Sequence, residues 1–440
     1  MKFDVVVLGG GSGGYVAGSV LARYGKKVAV VEKEKFGGIC VRAGCVPSIF
    51  LYDTSFLFTR LGEIGNYKGM SIKVSLGDIF SSRENLIEYL SNAGRELIEN
   101  AGGTTLLGEA KIKEGKVIVG RKEIEYDKLI IATGSSPSIP KIKGVEDGLT
   151  EDQAVNLDRV PENLVVVGGG FAGVEIAQFF ARLGSTVTLL TKGKILKWLS
   201  EEARKVIKDS LEWDGVSVVE NCEPVYQDKR FLKTTCGEFK AEVVYATGRK
   251  PNLPEGIDTL SIETNCNGIK VDESMRTTNG KVWAIGDVVD KERKVAHSAM
   301  LEGVIASLSI LGKDVKVDRS FVPQVVYTDP QVAVVGKLER AVKSSVFPLK
   351  ASTRAMIHGI REGYVRLGFD SDDKVCYGEV VSQYSEEIIN VVTLAIKAKM
   401  KAEDLALLPL VHPSLSEGVS NAAKALFNLD VDVFREKHET

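Results

Sequence analysis

The chain has 440 residues, with 57 Lys and Arg against 59 Asp and Glu and a formal net charge of −2. A balance this close leaves no electrostatic footprint for nucleic acid or an anionic membrane surface. At 44% hydrophobic and 26% charged, the composition is that of an ordinary globular protein and excludes disorder and fibrous architecture.

No apolar stretch approaches the roughly 18 to 20 residues needed to span a bilayer. The first apolar run, Phe3 to Leu8, leads into glycines rather than a cleavage site. A soluble, cytoplasmic protein is expected, with no membrane span, no nucleic-acid partner and no bound metal. Six cysteines are too few for a secreted disulfide framework, yet Cys40 and Cys45 lie five apart within a glycine-rich segment.

In chain order, Phe3 to Leu8 reads as a strand, Gly9 to Gly14 as a glycine turn, the following small residues as a helix, and Lys27 to Val31 as a second strand ending at Glu32. Gly9, Gly11 and Gly14 have the spacing of a dinucleotide fingerprint. Backbone N–H groups at such a helix start hold a pyrophosphate, and a carboxylate at Glu32 can accept the ribose hydroxyls. The pattern repeats at 164 to 191. A strand at Leu164 to Val167 precedes Gly168, Gly170 and Gly173, a helix over Val174 to Leu183 and a strand over Thr186 to Leu190. Here the position matching Glu32 is Thr191, followed by Lys192. A lysine there pairs with a 2′-phosphate where an acid would repel it, so the second unit leans toward NADP(H), although Gly173 keeps the tight packing typical of NAD sites.

A second echo follows each unit. The runs ending in Gly134 and Gly248 are both buried strands closed by Ala-Thr-Gly and a proline turn at Pro137 or Pro251. The segment from Lys281 to Asp287 is again strand then Gly-Asp. Beyond about residue 317, short alternating runs at Val322 to Tyr327, Val332 to Val335 and Tyr364 to Gly368 join helical patterns at Glu386 to Lys399 and Ser416 to Leu426. This segment reads as α+β with a mostly antiparallel sheet. The fold expected is therefore α/β, with two Rossmann-like dinucleotide-binding domains and a C-terminal α+β domain.

Cys40 and Cys45 pose a geometric problem. In a regular helix, residues i and i+5 lie roughly 8 to 9 Å apart, whereas a disulfide needs about 4.4 to 6.8 Å between Cα atoms. Bridging requires a distorted helix start, which Gly37, Gly38 and Gly44 permit and Pro47 limits. Two buried structural thiols are the alternative.

The run from Gly37 to Ser48 closely resembles the redox-active disulfide signature of the pyridine nucleotide-disulfide oxidoreductases, the family of dihydrolipoamide dehydrogenase, glutathione reductase and mercuric reductase. The resemblance spans the chain through both fingerprints, Gly286 and Asp287, Val295 to Ala299, Val322 to Pro330 and His412 to Glu417. It implies FAD held by residues 1–143 and 265–316, NAD(P) held by 144–264, and a dimerisation domain over 317–440. It implies that Asp287 bonds the flavin ribityl chain, that Ala110 and Ala296 give backbone contacts, and that Cys45 lies against the flavin while Cys40 exchanges with substrate. His412, held by Glu417, is implied as the acid/base, delivered from the partner subunit of a homodimer. Thiol exchange needs a thiolate attacker and a protonated leaving group, and histidine serves both near neutral pH.

One position departs from the family. Its lysine after Pro-Ser, which lies by the flavin and pairs with the glutamate kept here as Glu175, is Ile49. A cation about 4 Å from the flavin is worth on the order of 4 kcal/mol at an effective dielectric near 20, so its loss lowers the flavin potential by tens of millivolts. Val411 also stands where lipoamide enzymes often carry a further histidine. The expected activity is passage of electrons between NAD(P)H and a small-molecule or lipoyl-protein disulfide. A mercuric reductase is the enzyme alternative, with no cysteine after Cys376 to deliver metal. A flavin-bearing binding or regulatory subunit is the alternative of another class.

Overall fold

The computed structural model describes residues 1–65, 75–360 and 362–433. They form two compact units, Met1–Gly193 with Val219–Val317, and Lys194–Val218 with Asp318–Thr440.

In the first unit, strand Lys2–Leu8 is buried on both faces and lies between Val28–Glu32 and Lys122–Ile131, parallel to both. Thr104–Leu107 extends this sheet beyond Val28–Glu32, and Val282–Ala284 adds to Lys122–Ile131, again in parallel. Period-two alternation sorts the strand's side chains between two cores. Val6 and Leu8 pack with Ile112, Val117 and Ile124, while Val5 and Val7 pack with Ala17 and Leu21 of helix Ser12–Arg23 and Ile305 of helix Ala296–Ile310. Each such side chain contributes roughly 1.5 to 3 kcal/mol when fully buried. The strand ends therefore sit rigidly beneath the glycine turn.

The repeat at 163–191 builds a second sheet, with Thr186–Thr191, Asn163–Val167, Glu242–Tyr245 and Leu149–Thr150 lying parallel side by side. Helix Phe171–Arg182 follows its glycine turn. The segments expected as proline turns after Gly134 and Gly248 do more than turn. Ser135–Pro137 and Arg249–Pro251 pair antiparallel as a two-stranded ribbon, with Arg249 opposite Pro137. Pro137 and Pro251 lie at opposite ends of this pairing, where a missing N–H is tolerated. Two long helices that hydrophobic periodicity had not singled out, Cys45–Gly65 and Leu76–Asn100, complete the unit.

The second unit carries the expected antiparallel sheet, in the order Gln324–Val326, Gln331–Gly336, Val375–Ser382, Tyr364–Phe369 and Lys343–Pro348. Helices Ser385–Lys397 and Glu417–Lys424 cover it through Ile388, Val392 and Val419. Glu379, fully buried, accepts hydrogen bonds from Ser200 at 2.8 Å, Tyr364 at 2.7 Å and Tyr377 at 3.1 Å, and pairs with Arg366 at 3.5 Å. Burial raises the Tyr364 phenol above its usual range, so it stays a donor to this carboxylate. Among the described residues no helix is long and apolar enough to cross a membrane.

Candidate active site

Both fingerprints are built alike. Helices Ser12–Arg23 and Phe171–Arg182 start at Gly11 and Gly170, and neither start is capped by its own side chain. A Cβ on Gly14 would overlap the Gly9 carbonyl oxygen, and one on Gly173 the Gly168 carbonyl oxygen. Only glycine lets each helix approach its strand so closely. The unsatisfied N–H groups of such a helix start are suited to a pyrophosphate.

The strand ends differ. Glu32 is 6% exposed; its Oε2 accepts from the Gly10 N–H at 2.8 Å and its Oε1 from the Glu34 N–H at 3.0 Å. Burial raises this carboxyl above its ordinary range against the pull of the Gly10 bond. A carboxylate offers about four acceptor sites, so Glu32 keeps capacity for a ribose hydroxyl. Thr191 is buried, whereas the Lys192 side chain is 80% exposed and pairs with Glu223 at 3.2 Å. Lys192 is thus a surface cation already answered by a carboxylate.

The Cys40 helix, Gly38–Ala43, breaks at Gly44 before Cys45 opens the next helix, Cys45–Gly65. A Cβ at Gly44 would stand 2.9 Å from the Ile39 carbonyl oxygen, too close for any other residue without displacement. This is the distortion that the five-residue spacing demands. Both thiols are free and partly buried, and they hydrogen-bond each other. The Cys45 thiol, the Ser12 hydroxyl and the Cys45 N–H donate to the Cys40 sulfur and hold Cys40 below the usual thiol range despite burial. Cys45 is pushed up by donating to Cys40, by burial, and by the charges of Cys40 and Glu175. In the dithiol Cys40 is therefore the more readily ionised of the two sulfurs. Glu175 is buried on helix Phe171–Arg182, which packs against the helix bearing Cys45 and the half-buried Ile49.

Asp287 lies in the turn Gly286–Val288, and its Oδ2 accepts from the Ser135 hydroxyl at 2.8 Å. Ser135 in turn accepts from Arg249 Nε at 3.0 Å, and Arg249 binds Asp152 at 2.6 Å and Glu151 at 3.0 Å. Ser12, Ser135, Arg249 and Asp152 were missed as site residues. The only signal for Ser135 and Arg249 was that each directly follows an Ala-Thr-Gly run, with nothing to say that the two segments pair. Gly134 and Gly248, both in the left-handed region, end those runs. Ala110 opens strand Ala110–Lys113 and Ala296 opens helix Ala296–Ile310. Lys291 and Glu302 form a buried pair at 2.8 Å, with the Glu302 carboxylate also accepting from the Gly286 N–H beside Asp287.

His412 and Glu417 belong to the other unit. His412 Nδ1 lies 2.9 Å from Glu417 Oε1, and Glu417 Oε2 accepts from the Ser414 N–H at 2.8 Å. A carboxylate on Nδ1 favours the tautomer with its proton there, which makes Nε2 the acceptor nitrogen. The ring is 67% exposed. His358 instead meets the Tyr384 ring edge-on, and His438 lies outside the described residues.

A model of the pyridine nucleotide-disulphide oxidoreductases matches residues 3–303, and the dimerisation-domain model of the same family matches residues 322–423. The chain belongs to this family. It is 32% identical to a dihydrolipoyl dehydrogenase of Geobacillus stearothermophilus, with 98% of each chain aligned. It is 30% identical to a mercuric reductase of Lysinibacillus sphaericus, over 99% of this chain and 84% of that one. The structure is similar to that of LpdA from Mycobacterium tuberculosis, with a TM-score of 0.89 and 26% identity over 97% of this chain and 99% of that one. The family and these relatives make the chain an NAD(P)H-dependent flavoprotein oxidoreductase of the dihydrolipoyl dehydrogenase type, built for FAD and a nicotinamide dinucleotide and carrying the family's dimerisation domain. The two uncapped helix starts, the close approaches at Gly14 and Gly173, and the buried Glu32 carboxylate at the end of the first unit's second strand fit those two dinucleotides.

Proposed function

We propose that this protein is a cytoplasmic homodimer that reduces a small-molecule or lipoyl-protein disulfide with NAD(P)H, the direction being reversible. The observation that carries the reading is the Cys40 and Cys45 pair, placed across a helix break with the Cys45 thiol, the Cys45 N–H and the Ser12 hydroxyl all donating to the Cys40 sulfur. On this reading, residues 1–143 and 265–316 hold FAD, 144–264 hold the nicotinamide dinucleotide, and 317–440 form the subunit interface. When bound, FAD supplies the hydride acceptor that links the nicotinamide to the thiol pair.

The chain's own residues do the sulfur and proton chemistry. The Cys40 thiolate attacks one sulfur of the substrate disulfide, and the other sulfur leaves as a thiolate. That thiolate takes a proton from the partner subunit's His412, whose imidazolium is held by Glu417. Cys45 loses its proton to the same imidazole and attacks Cys40, closing the Cys40–Cys45 bridge, and the second substrate sulfur, expelled as a thiolate, takes that proton from the imidazolium. The balance is one disulfide reduced to two thiols and one dithiol oxidised to a disulfide. Gly9, Gly11, Gly14, Glu32, Asp287, Ala110, Ala296 and Gly134 are assigned to FAD. Gly168, Gly170, Gly173, Lys192 and Gly248 are assigned to the nicotinamide dinucleotide, and Glu175 to the face where the two meet. NADPH is favoured over NADH by the margin that Lys192 supplies once it turns from Glu223 to a 2′-phosphate.

Steady-state turnover of the FAD-loaded protein with NADPH or NADH, against lipoamide, glutathione disulfide and Hg²⁺, tests the reading. Lipoamide or another disulfide should be reduced, and Cys40→Ser should lose that activity. Turnover with Hg²⁺ alone contradicts the disulfide assignment. Absence of any nicotinamide oxidation favours a binding subunit.

A further inference from the structure

Two of the remaining cysteines also come together. Strands Pro224–Asp228 and Phe231–Thr234 pair antiparallel with Pro224 opposite Thr234. The chain then turns tightly through Thr235 and Cys236 into strand Gly237–Lys240. Beyond the paired residues, the Thr235 N–H donates to the Glu223 carbonyl at 2.9 Å, and the Glu223 N–H donates to the Thr235 hydroxyl at 3.0 Å. The turn is thereby laid over Asn221 and Cys222.

The Thr234 hydroxyl joins the two cysteines, accepting from the Cys222 thiol at 3.3 Å and from the Cys236 N–H at 3.1 Å. Cys236 Sγ lies 3.7 Å from the Asn221 carbonyl oxygen. Its thiol is held above the usual range, chiefly by its hydrogen bond to the Cys222 sulfur. Cys222 is buried and Cys236 exposed. One sulfur is open to a reagent and the other waits behind it, the arrangement of an attacking and a resolving thiol.

We propose that Cys222 and Cys236 are a second, reversible dithiol–disulfide couple, whose closure weakens NADPH binding at Lys192. Its oxidant is a low-molecular-weight disulfide. Cys236 attacks one sulfur of that disulfide and forms a mixed disulfide, and the departing thiolate takes the Cys236 proton. Cys222 then attacks Cys236 and expels the second thiolate, which takes the Cys222 proton. Two cysteine thiols are oxidised to one cystine while one small disulfide is reduced to two thiols. Because the proton on Cys236 is held by Cys222, exchange is slower here than at Cys40, so the couple responds to sustained oxidation rather than to each turnover.

The link to the nucleotide pocket runs through two contacts. The Cys222 N–H donates to the Thr191 carbonyl at 2.9 Å, and Glu223 pairs with Lys192. A cystine at 222 pins the backbone that carries Glu223 and holds its carboxylate on Lys192. A 2′-phosphate must then compete for that lysine, whereas NADH makes no such demand. This second half rests on the proposed role of Lys192.

The test uses the FAD-loaded Cys40→Ser/Cys45→Ser protein, in which the first pair cannot react. It is treated with hydroxyethyl disulfide at mildly alkaline pH, alkylated, and mapped by peptide mass, and the Kd of NADPH and NADH is measured before and after. The expected result is a Cys222–Cys236 cross-link reversed by dithiothreitol, a trapped mixed disulfide on Cys236 when Cys222→Ser is added, and no reaction when Cys236→Ser is added. The Kd for NADPH should rise about tenfold on closure, as for loss of one charge-assisted hydrogen bond, with NADH unchanged. Full alkylation of both cysteines after oxidant, or a mixed disulfide on Cys236 that Cys222 never resolves, overturns the couple. Closure with equal NADPH affinity in both states overturns the coupling. Failure of NADPH to bind either state counts against the Lys192 assignment, with the couple still judged by the mass map.

Discussion

The two glycine fingerprints are near copies of each other, and the residues that end their second strands are not. At Gly14 and Gly173 the same backbone oxygen, five residues earlier, blocks any side chain, so the phosphate cradle is fixed by close approach and is indifferent to which dinucleotide enters. At the strand ends, a buried Glu32 is locked to the Gly10 and Glu34 N–H groups, whereas an exposed Lys192 leans on Glu223. Shared geometry suits both turns to a dinucleotide, and the unlike strand ends are where we propose the two dinucleotides are told apart.

The largest expected effects break the shared part. Gly14→Ala forces the helix off its strand at about 3 kcal/mol, the upper end of overpacking costs, and the purified protein should have lost most of its flavin absorbance. Gly173→Ala carries the same penalty in the other half. It should keep its flavin and bind NAD(P)H on the order of a hundredfold more weakly in a fluorescence titration. If both variants lose flavin equally, the two halves do not act as separate sites.

The next prediction sharpens the unlike part. Lys192→Glu should weaken NADPH by about 2 kcal/mol, the worth of a hydrogen bond to a charged group, while leaving NADH within about twofold, as read by the ratio of their kcat/KM values. A smaller change is expected where the halves face the thiol pair. Ile49→Lys introduces a cation whose charge Glu175 largely offsets, so the flavin potential should rise by about 30 mV, or about 1.4 kcal/mol for two electrons. Redox titration with a reference dye measures it.

An effect that appears only as pH is varied lies at the ribbon that joins the two echoes. One Arg249 guanidinium serves both Asp152 and Glu151, and burial raises the Glu151 carboxyl from 4.5 to about 7. The folded protein thus holds a proton on Glu151 that the unfolded chain releases near 4.5. The stability from that proton is complete at acid pH and is lost as pH rises through about 7. Glu151→Gln removes the loss, so its unfolding free energy, read by denaturant melts, should match wild type at low pH and exceed it above neutrality by up to about 3 kcal/mol, about 1.36 for each unit of the displacement from 4.5 to about 7.

Much of this comparison was legible in the sequence, because glycine spacing and strand periodicity report backbone geometry directly. The parallel strand–helix–strand units behind both fingerprints and the antiparallel C-terminal sheet follow from local pattern, whereas the pairing of His412 with Glu417 was implied by the family resemblance. The helix break between Cys40 and Cys45 was legible as a need, and Gly44 supplies it. The Arg249–Ser135–Asp287 chain was not legible, since it joins residues more than a hundred positions apart through a ribbon of only three residues a side. Nor was the contact of Cys222 with Cys236, which depends on how a two-residue turn folds back over the preceding strand.

On the proposed route, electrons leave the flavin through the thiol pair and reach substrate at Cys40. This route is tested most directly by anaerobic double mixing, in which the FAD-loaded protein is first reduced with NADPH and then mixed with lipoamide while flavin absorbance is followed. The prediction is rapid return of oxidised flavin in the wild type and a flavin that stays reduced in Cys40→Ser. Equal reoxidation in both proteins would contradict the route.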